Sequence, residues 1–202
     1  PTLEGCTRGI WISTSAMKDG SNDCHTFLLD CEGAGDPLEN DEASNIRIAL
    51  ICILISNVFM FNNTGRPDRT SLQFLSYLIT IRKRMPTSET DETPNFPSFL
   101  WVFRDFFLQL PVRKDTKEPY TLQEYMLERV LTTTTSNNTD DSIIIDSLLN
   151  DFKSMNVMSV SYPKRQLNDE AFDSNEMSKL DTIPWNEIHE DFRNDVQAVI
   201  DQ

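Results

Sequence analysis

The sequence predicts an α/β fold in which a mainly parallel sheet carries helices on both faces. Short apolar runs rich in branched and aromatic residues alternate with longer segments of helical length, a pattern that indicates β-α-β crossovers. The run SFLWVFRDF at 98–106 is almost continuously apolar, as is typical of a central strand covered on both faces. The 202 residues, of which 39% are hydrophobic, suffice for one domain with its own core.

The first half of the chain is predicted to form two strands, a helix, a third strand and a second helix. GIWIS at 9–13 and TFLLD at 26–30 are the first two strands, because both are short apolar runs and a polar loop separates them. Residues 42–57 have the length of a helix, and VFMFNN at 58–63 follows as a strand. The apolar run at 48–61, which covers parts of both, predicts that both are buried. Residues 68–85 space Leu and Ile at a helical period and end in a basic turn, which favours a helix C-terminus.

The second half is predicted to contain the central strand, two helices, a last strand and a terminal helix. The polar segment 86–95, interrupted twice by Pro, is expected to be an exposed loop before the central strand. Two helices follow, separated by the low-complexity loop TTTTSNNT. The remaining predicted elements are helices at 121–131 and 140–153, a strand at 157–163 and an amphipathic helix at 190–202.

Composition excludes several classes of protein. The formal net charge of −14 disfavours nucleic-acid binding, because affinity for a phosphate backbone depends on clustered Lys and Arg. The longest apolar run, 48–61, is too short to span a bilayer and contains Ser56 and Asn57. The 4 cysteines form no C-x-x-C pair, which predicts free thiols and a cytoplasmic location. Neither zinc-ligand spacing around His25 and His189 nor a G-x-S-x-G or H-E-x-x-H motif is present.

Residues suited to phosphate and metal chemistry surround the first two strands. In FLLDCEGAGD at 27–36, Asp30 ends a strand and Gly33 follows it at D-x-x-G spacing. An Asp in this position can hold Mg²⁺ while a glycine N–H reaches a terminal phosphate, although the same letters also fit an ordinary polar turn. Thr7 precedes the first strand, where its hydroxyl either ligates Mg²⁺ or simply leads into the strand.

A charged pair, Arg104 and Asp105, stands where the central apolar strand is predicted to stop. A carboxylate at a strand end can accept two N–H donors from a guanine edge, and buried polar groups left unpaired would disfavour other bases. The alternative interpretation is an ion pair that faces solvent. Ligands of open parallel sheets gather beyond the carboxyl ends of the strands, so we expect Asp30 and this pair near one site.

The segments CTRGIW, FLLDCEGAGD, FMFNN and FPSFLWVFRDFFLQL, in this order, resemble the large GTPase domain of the guanylate-binding protein family. That family belongs to the dynamin superfamily and is related to the atlastins. The resemblance covers most of the chain, and FLWVFRDF following D-x-E-G is its most specific part. It implies a three-layer, P-loop-NTPase-like G domain, N-terminally truncated, that occupies 1–202 from switch I to the domain end. Residues from about 164 to 202 would form the guanine-cap region and terminal helix.

The resemblance also implies roles for the residues around the first strands. Thr7 looks like the switch I threonine, a catalytic and metal-binding residue that closes over Mg²⁺ and the γ-phosphate. Asp30 would act on the metal through water, and Gly33 would contact the γ-phosphate. Glu32 matches an acidic residue that organises water around the attacking nucleophile, which makes it the second catalytic candidate.

Arg104 and Asp105 look like the family's RD motif, in which Asp105 takes the guanine N–H donors. The chain departs from the family pattern in two places. No G-x-x-x-x-G-K-[ST] occurs in these residues, because the family places that P-loop earlier than the point where this chain begins. Gly5 stands where many members have a switch I serine. We therefore expect this chain alone to be inactive.

The resulting prediction is GTP binding and Mg²⁺-dependent GTP hydrolysis by the full-length protein. The family implies a GTP-dependent homodimer through the nucleotide face, and membrane association only through regions outside this chain. Two alternatives stay open. One is a degenerate G domain that binds no nucleotide and acts as a scaffold. The other is a metal-dependent phosphohydrolase that uses the carboxylates of Asp30, Glu32 and Asp36, with no preference for guanine.

Overall fold

The computed structural model describes most of the chain and leaves several segments out. The described residues are 9–14, 17–18, 25–31, 42–65, 69–85, 96–106, 109–131, 146, 148–177 and 179–201. The strands among them are β1 (Ile10–Ile12), β2 (Met17–Lys18), β3 (His25–Thr26), β4 (Leu29–Cys31), β5 (Val58–Thr64), β6 (Ser98–Arg104) and β7 (Met155–Val160). The α-helices are α1 (Glu42–Ile55), α2 (Arg69–Arg84), α3 (Leu122–Tyr125), α4 (Ser174–Met177) and α5 (Glu190–Ile200).

A parallel sheet of three strands, in the order β5-β6-β7, forms the centre of the fold. The register aligns Val58 with Ser98 and Thr64 with Arg104, so β5 and β6 end at the same level. Strand β7 lies on the other side of β6, with Val160 also aligned to Arg104. The predicted α/β class with a parallel sheet is therefore confirmed.

Helices cover both faces of β6, which explains its unbroken apolar sequence. Alternate residues Phe99, Trp101 and Phe103 lie in a core formed with α1, α2 and the π-helical turn Met126–Leu131 that continues α3. The intervening residues Leu100 and Val102 belong to a second core, against which Phe192, Val196 and Val199 of α5 pack. Successive side chains of a strand point to opposite faces, so this arrangement is the predicted three-layer fold.

The side-chain amides of Asn63 and Gln123 connect the sheet to helices α2 and α3 by hydrogen bonds. The indole Nε1 of Trp101 donates to Asn63 Oδ1 at 2.8 Å, and Asn63 Nδ2 donates to Ser71 Oγ on α2 at 2.5 Å. Gln123 of α3 pairs with the outer edge of β7, because its Nε2 donates to the carbonyl oxygen of Met155 at 2.9 Å while its Oε1 accepts from the N–H of Val157 at 2.5 Å. A side chain thus satisfies part of an exposed strand edge.

Helix α3 begins at a reciprocal cap. Thr121 accepts from the N–H of Glu124, and the Glu124 carboxylate accepts from the N–H of Thr121. These hydrogen bonds and the neighbouring Arg113 lower the pKa of Glu124. Arg113 Nη2 contacts Glu124 Oε1 at 2.7 Å, and its guanidinium lies 4.7 Å from the ring centroid of Tyr120. The cap therefore connects the start of α3 to the segment that follows the central strand.

Several boundaries differ from the predicted ones. The first two predicted strands are present and pair antiparallel with each other, with Trp11 opposite Asp30, and a second small hairpin of β2 and β3 lies between them. Strand β7 runs over Met155–Val160 rather than 157–163. It cannot continue in a ladder through Pro163, which lacks an N–H. The predicted loops at 86–95 and 132–139 lie outside the described residues, as does half of the predicted helix at 140–153.

The burial predicted for the apolar run at 48–61 is only partly observed. Cys52, Ile53 and Phe59 are buried, whereas Ile55 and Met60 are 58% and 45% exposed. Residues 48–55 of helix α1 are all apolar, so packing one side against the core leaves apolar side chains on the other. Among the described residues, no helix has the length and apolarity needed to cross a membrane.

Candidate functional site

The three parallel strands end at one edge of the sheet, and polar residues occupy that edge. Strand β5 ends at Thr64 and Gly65 follows it, while β6 ends at Arg104 and Asp105 follows. Strand β7 ends at Val160, beside Arg104. In open parallel sheets the carboxyl ends of the strands form the usual place for a ligand. The pair predicted from the sequence therefore lies where this sheet topology favours binding.

Backbone hydrogen bonds from both neighbouring strands fix the pair Arg104 and Asp105. The carbonyl oxygen of Arg104 accepts from the N–H of Gly65 at 2.7 Å, and the N–H of Asp105 donates to the carbonyl oxygen of Val160 at 3.0 Å. Asp105 has a φ of 55°, a left-handed conformation that Asp adopts more readily than most residues. This conformation ends the strand two residues before the predicted boundary, and it is a common feature of functional sites.

The side chain of Arg104 contacts β5 rather than a carboxylate. Its Nε donates to Asn62 Oδ1 at 2.9 Å and its Nη2 donates to Thr64 Oγ1 at 3.4 Å. Among the described residues, neither Arg104 nor Asp105 takes part in an ion pair. Nor does any side chain in the described ranges donate a hydrogen bond to the half-buried Asp105. Its two carboxylate oxygens are thus free, within that part of the chain, to accept from a ligand.

A second carboxylate supports the same edge from α5. Asp195 Oδ2 accepts from both the N–H of Ser161, at 2.9 Å, and the Ser161 hydroxyl, at 2.5 Å. Hydrogen bonds to a charged acceptor are stronger than those between neutral groups. The contact fixes α5 directly after β7, and therefore holds the strand end that Asp105 uses as its backbone acceptor.

Asp30 lies on a different sheet from Arg104 and Asp105. It occupies β4, one residue before the strand ends, and pairs with Trp11 in a hairpin of two strands. Its side chain is exposed, which suits an oxygen ligand that reaches a metal through water. No strand pairing among the described residues joins this hairpin to the parallel sheet, so Asp30 does not end a strand of the sheet whose carboxyl edge holds Arg104 and Asp105.

The other predicted site residues, Thr7, Glu32 and Gly33, lie outside the described residues. Within the described ranges, no three His, Cys, Asp or Glu residues cluster in a way that could hold a metal ion. The metal-binding and catalytic roles of the residues around the first strands therefore stay predictions.

The cysteine beside Asp30 has a packing role. The thiol of Cys31 contacts that of Cys52 on α1, and Cys31 packs against the main core. Burial, reinforced by Cys52, raises the pKa of Cys31 to about 12, and burial also raises the pKa of Cys52. Both groups therefore stay protonated at neutral pH, which makes them poor nucleophiles and poor metal ligands. Their contact holds the end of β4 against α1.

Comparison with known families decides what kind of domain this sheet belongs to. The family model described as "Guanylate-binding protein, N-terminal domain" matches residues 1–202. The chain belongs to the guanylate-binding protein family. The resemblance seen in the sequence is therefore confirmed, and the α/β sheet with Asp105 at its edge is part of that family's N-terminal domain.

Curated members of the guanylate-binding protein family match the chain at moderate identity. Guanylate-binding protein 2 of Mus musculus is 28% identical over 206 residues, covering 95% of this chain and 32% of the relative. Guanylate-binding protein 7 of Homo sapiens is 32% identical over 136 residues, which cover 62% of this chain and 20% of the relative. Guanylate-binding protein 2 of Homo sapiens is 29% identical, and 22% of its length is covered. The chain thus spans a third or less of these relatives.

In this guanylate-binding protein chain, the sequence did not point to Asn62, Thr64 or Asp195. A signal for the first two does exist. The strand VFMFNNT changes from apolar to polar near its end, and residues 62 and 64 share one face because they are two apart. Asp195 carries no comparable signal, since its role depends on how α5 docks on the sheet.

Proposed function

We propose that this chain is part of a guanine-nucleotide-binding GTPase domain, with Asp105 as the residue that reads the base. One observation carries the proposal. Asp105 has a left-handed conformation at the carboxyl edge of the sheet, and the peptide group that joins it to Arg104 is hydrogen-bonded to Gly65 on one side and to Val160 on the other. Membership of the guanylate-binding protein family supports the same assignment.

The chemistry of the base explains why a carboxylate suits this position. Guanine presents an N1–H and an exocyclic N2 amino group side by side, and a carboxylate offers two acceptor oxygens at matching spacing. Adenine lacks this pair of donors, so it would leave both the carboxylate and its own acceptor unpaired. A site built to hydrogen-bond a ligand rejects analogues that lack the bonding groups, because the site's polar atoms then lose their partners.

For hydrolysis, we propose that Thr7 and Asp30 hold Mg²⁺, which would neutralise the charge that develops on the transferring phosphoryl group. The donors are a hydroxyl and a carboxylate, the hard oxygen ligands that this ion prefers. Glu32 would orient the attacking water, and the N–H of Gly33 would contact the γ-phosphate. A phosphate-cradling loop from outside these residues would complete the site, so we expect activity from the full-length protein only.

We further propose that the protein forms a GTP-dependent homodimer through the nucleotide face, as the family resemblance implies. We also propose a cytoplasmic location. The latter is supported by Cys31 and Cys52, which are free thiols in the described part of the chain. Disulfides are rare in that compartment.

Binding of GTP and ATP to the full-length protein tests the proposed function. With Mg²⁺ present, we expect calorimetry to give an affinity for GTP about a hundredfold or more above that for ATP. Equal affinities would favour a phosphohydrolase that ignores the base. Absence of binding to both nucleotides would favour a scaffold in which the nucleotide site has been lost.

A further inference from the structure

The guanidinium of Arg104 is held by two neutral side chains of the neighbouring strand. Asn62 and Thr64 share one face of β5, and the register sets Thr64 beside Arg104. The shorter contact, 2.9 Å, joins Arg104 Nε to Asn62 Oδ1, and the longer one, 3.4 Å, joins Nη2 to Thr64 Oγ1. Nε and Nη2 belong to the same planar group, so the two bonds together restrain the orientation of the guanidinium.

Because Asn62 and Thr64 are neutral, they leave the positive charge of Arg104 in place, whereas a carboxylate partner would neutralise it. An amide and a hydroxyl fix the orientation of a guanidinium without cancelling its charge. Of the five N–H groups of Arg, these two contacts use two, so three are left for a ligand. Within the described ranges, no carboxylate forms an ion pair with Arg104. The side chain is thus oriented in advance and keeps donors for a ligand at the edge next to Asp105.

We propose that Asn62 and Thr64 are positioning residues, which hold the Arg104 guanidinium in the orientation that contacts a bound guanine nucleotide. The inference rests on the proposed function, because it requires the nucleotide to bind at this edge. A long, exposed Arg side chain loses rotamer freedom when it contacts a ligand. Fixing it beforehand lowers that loss and strengthens binding. Asn62 makes the shorter contact and therefore has the larger part.

Substitution of Asn62 in the full-length protein tests this proposal. We expect Asn62→Ala to weaken binding of a non-hydrolysable GTP analogue about fivefold to tenfold, in line with the net contribution of one typical hydrogen bond. Thr64→Ala should weaken it about twofold, because its contact is longer. Asn57→Ala is the matched control, since Asn57 is an exposed Asn just before the same strand. It should leave the affinity unchanged.

A double-mutant cycle with Arg104→Ala separates positioning from a general structural effect. If Asn62 acts through Arg104, Asn62→Ala should have no further effect on affinity once Arg104 is removed. An equal loss with and without Arg104, or no loss in the single variant, would overturn the proposal. Thermal unfolding by circular dichroism confirms that the variants are folded, and Asn62→Ser serves as a second variant if Asn62→Ala is not.

Failure of this inference can be told apart from failure of the proposed function. If the wild-type protein binds no guanine nucleotide, both fail together. If the wild-type protein binds GTP and substitution of Asp105 changes its base preference, the proposed function holds. If Asn62→Ala then leaves the affinity for the GTP analogue unchanged, only the positioning role is wrong.

Discussion

Replacing Asp105 with Asn in the full-length protein is expected to reverse its base preference, from GTP to xanthosine triphosphate. The carboxylate accepts two N–H donors of guanine, whereas the Asn amide offers one acceptor and one donor group. Xanthine carries a carbonyl where guanine has its amino group, so it matches the amide. We expect GTP affinity to fall about a hundredfold, because a hydrogen bond to a charged acceptor is lost and a clash of two donors replaces it.

Asp105→Asn is expected to leave the backbone conformation unchanged. Asn tolerates the left-handed region about as well as Asp, so the φ of 55° is retained without new strain. Asp115→Asn changes an exposed Asp in the turn at 114–116, is the matched control and should change neither affinity. Competition calorimetry with GTP, xanthosine triphosphate and ATP measures the effect. An unchanged order of affinities would remove Asp105 from the base-reading role.

The second large effect concerns stability rather than binding. Trp101→Ala should lower the free energy of unfolding by about 3–5 kcal/mol, the range seen when a large buried aromatic is truncated. Trp101 is 0% exposed. Its ring centroid lies 6.0 Å from those of Phe61 and Phe99 and 5.1 Å from that of Phe103. The truncation also leaves Asn63 Oδ1 without its indole donor.

Urea unfolding followed by far-ultraviolet circular dichroism measures this change. Trp185→Ala is the control, because Trp185 is 51% exposed and should cost about 1 kcal/mol or less. Trp101→Phe keeps most of the ring volume but removes the N–H, so its cost should lie between those of the two alanine variants. If Trp101→Ala cost no more than Trp185→Ala, Trp101 would not be the centre of the core.

The elements that could be predicted from the sequence are those whose burial is evident from the order of their own apolar residues. Strand β6 is apolar on both faces because helices cover both, and its sequence is therefore an unbroken run of apolar residues. Helix α2 and helix α5 were found for the related reason that their apolar residues recur at the helical period. The end of β6 was predicted near Asp105 because charge interrupts the apolar run there.

The remaining features depend on how distant segments meet. The bond between Arg104 and Asn62 spans 42 residues of chain, and that between Val157 and Gln123 spans 34. Neither can be inferred until the strand order and register are known. The second hairpin, β2 with β3, has strands of only two residues each, which is too short for a recognisable alternation.

The most direct test of a guanine site at this edge is the structure of the full-length protein with a non-hydrolysable GTP analogue and Mg²⁺. We expect the carboxylate oxygens of Asp105 to lie within about 3.2 Å of guanine N1 and N2, the reach of a hydrogen bond. A nucleotide bound elsewhere, or a base whose N1 and N2 lie beyond that reach, would contradict it.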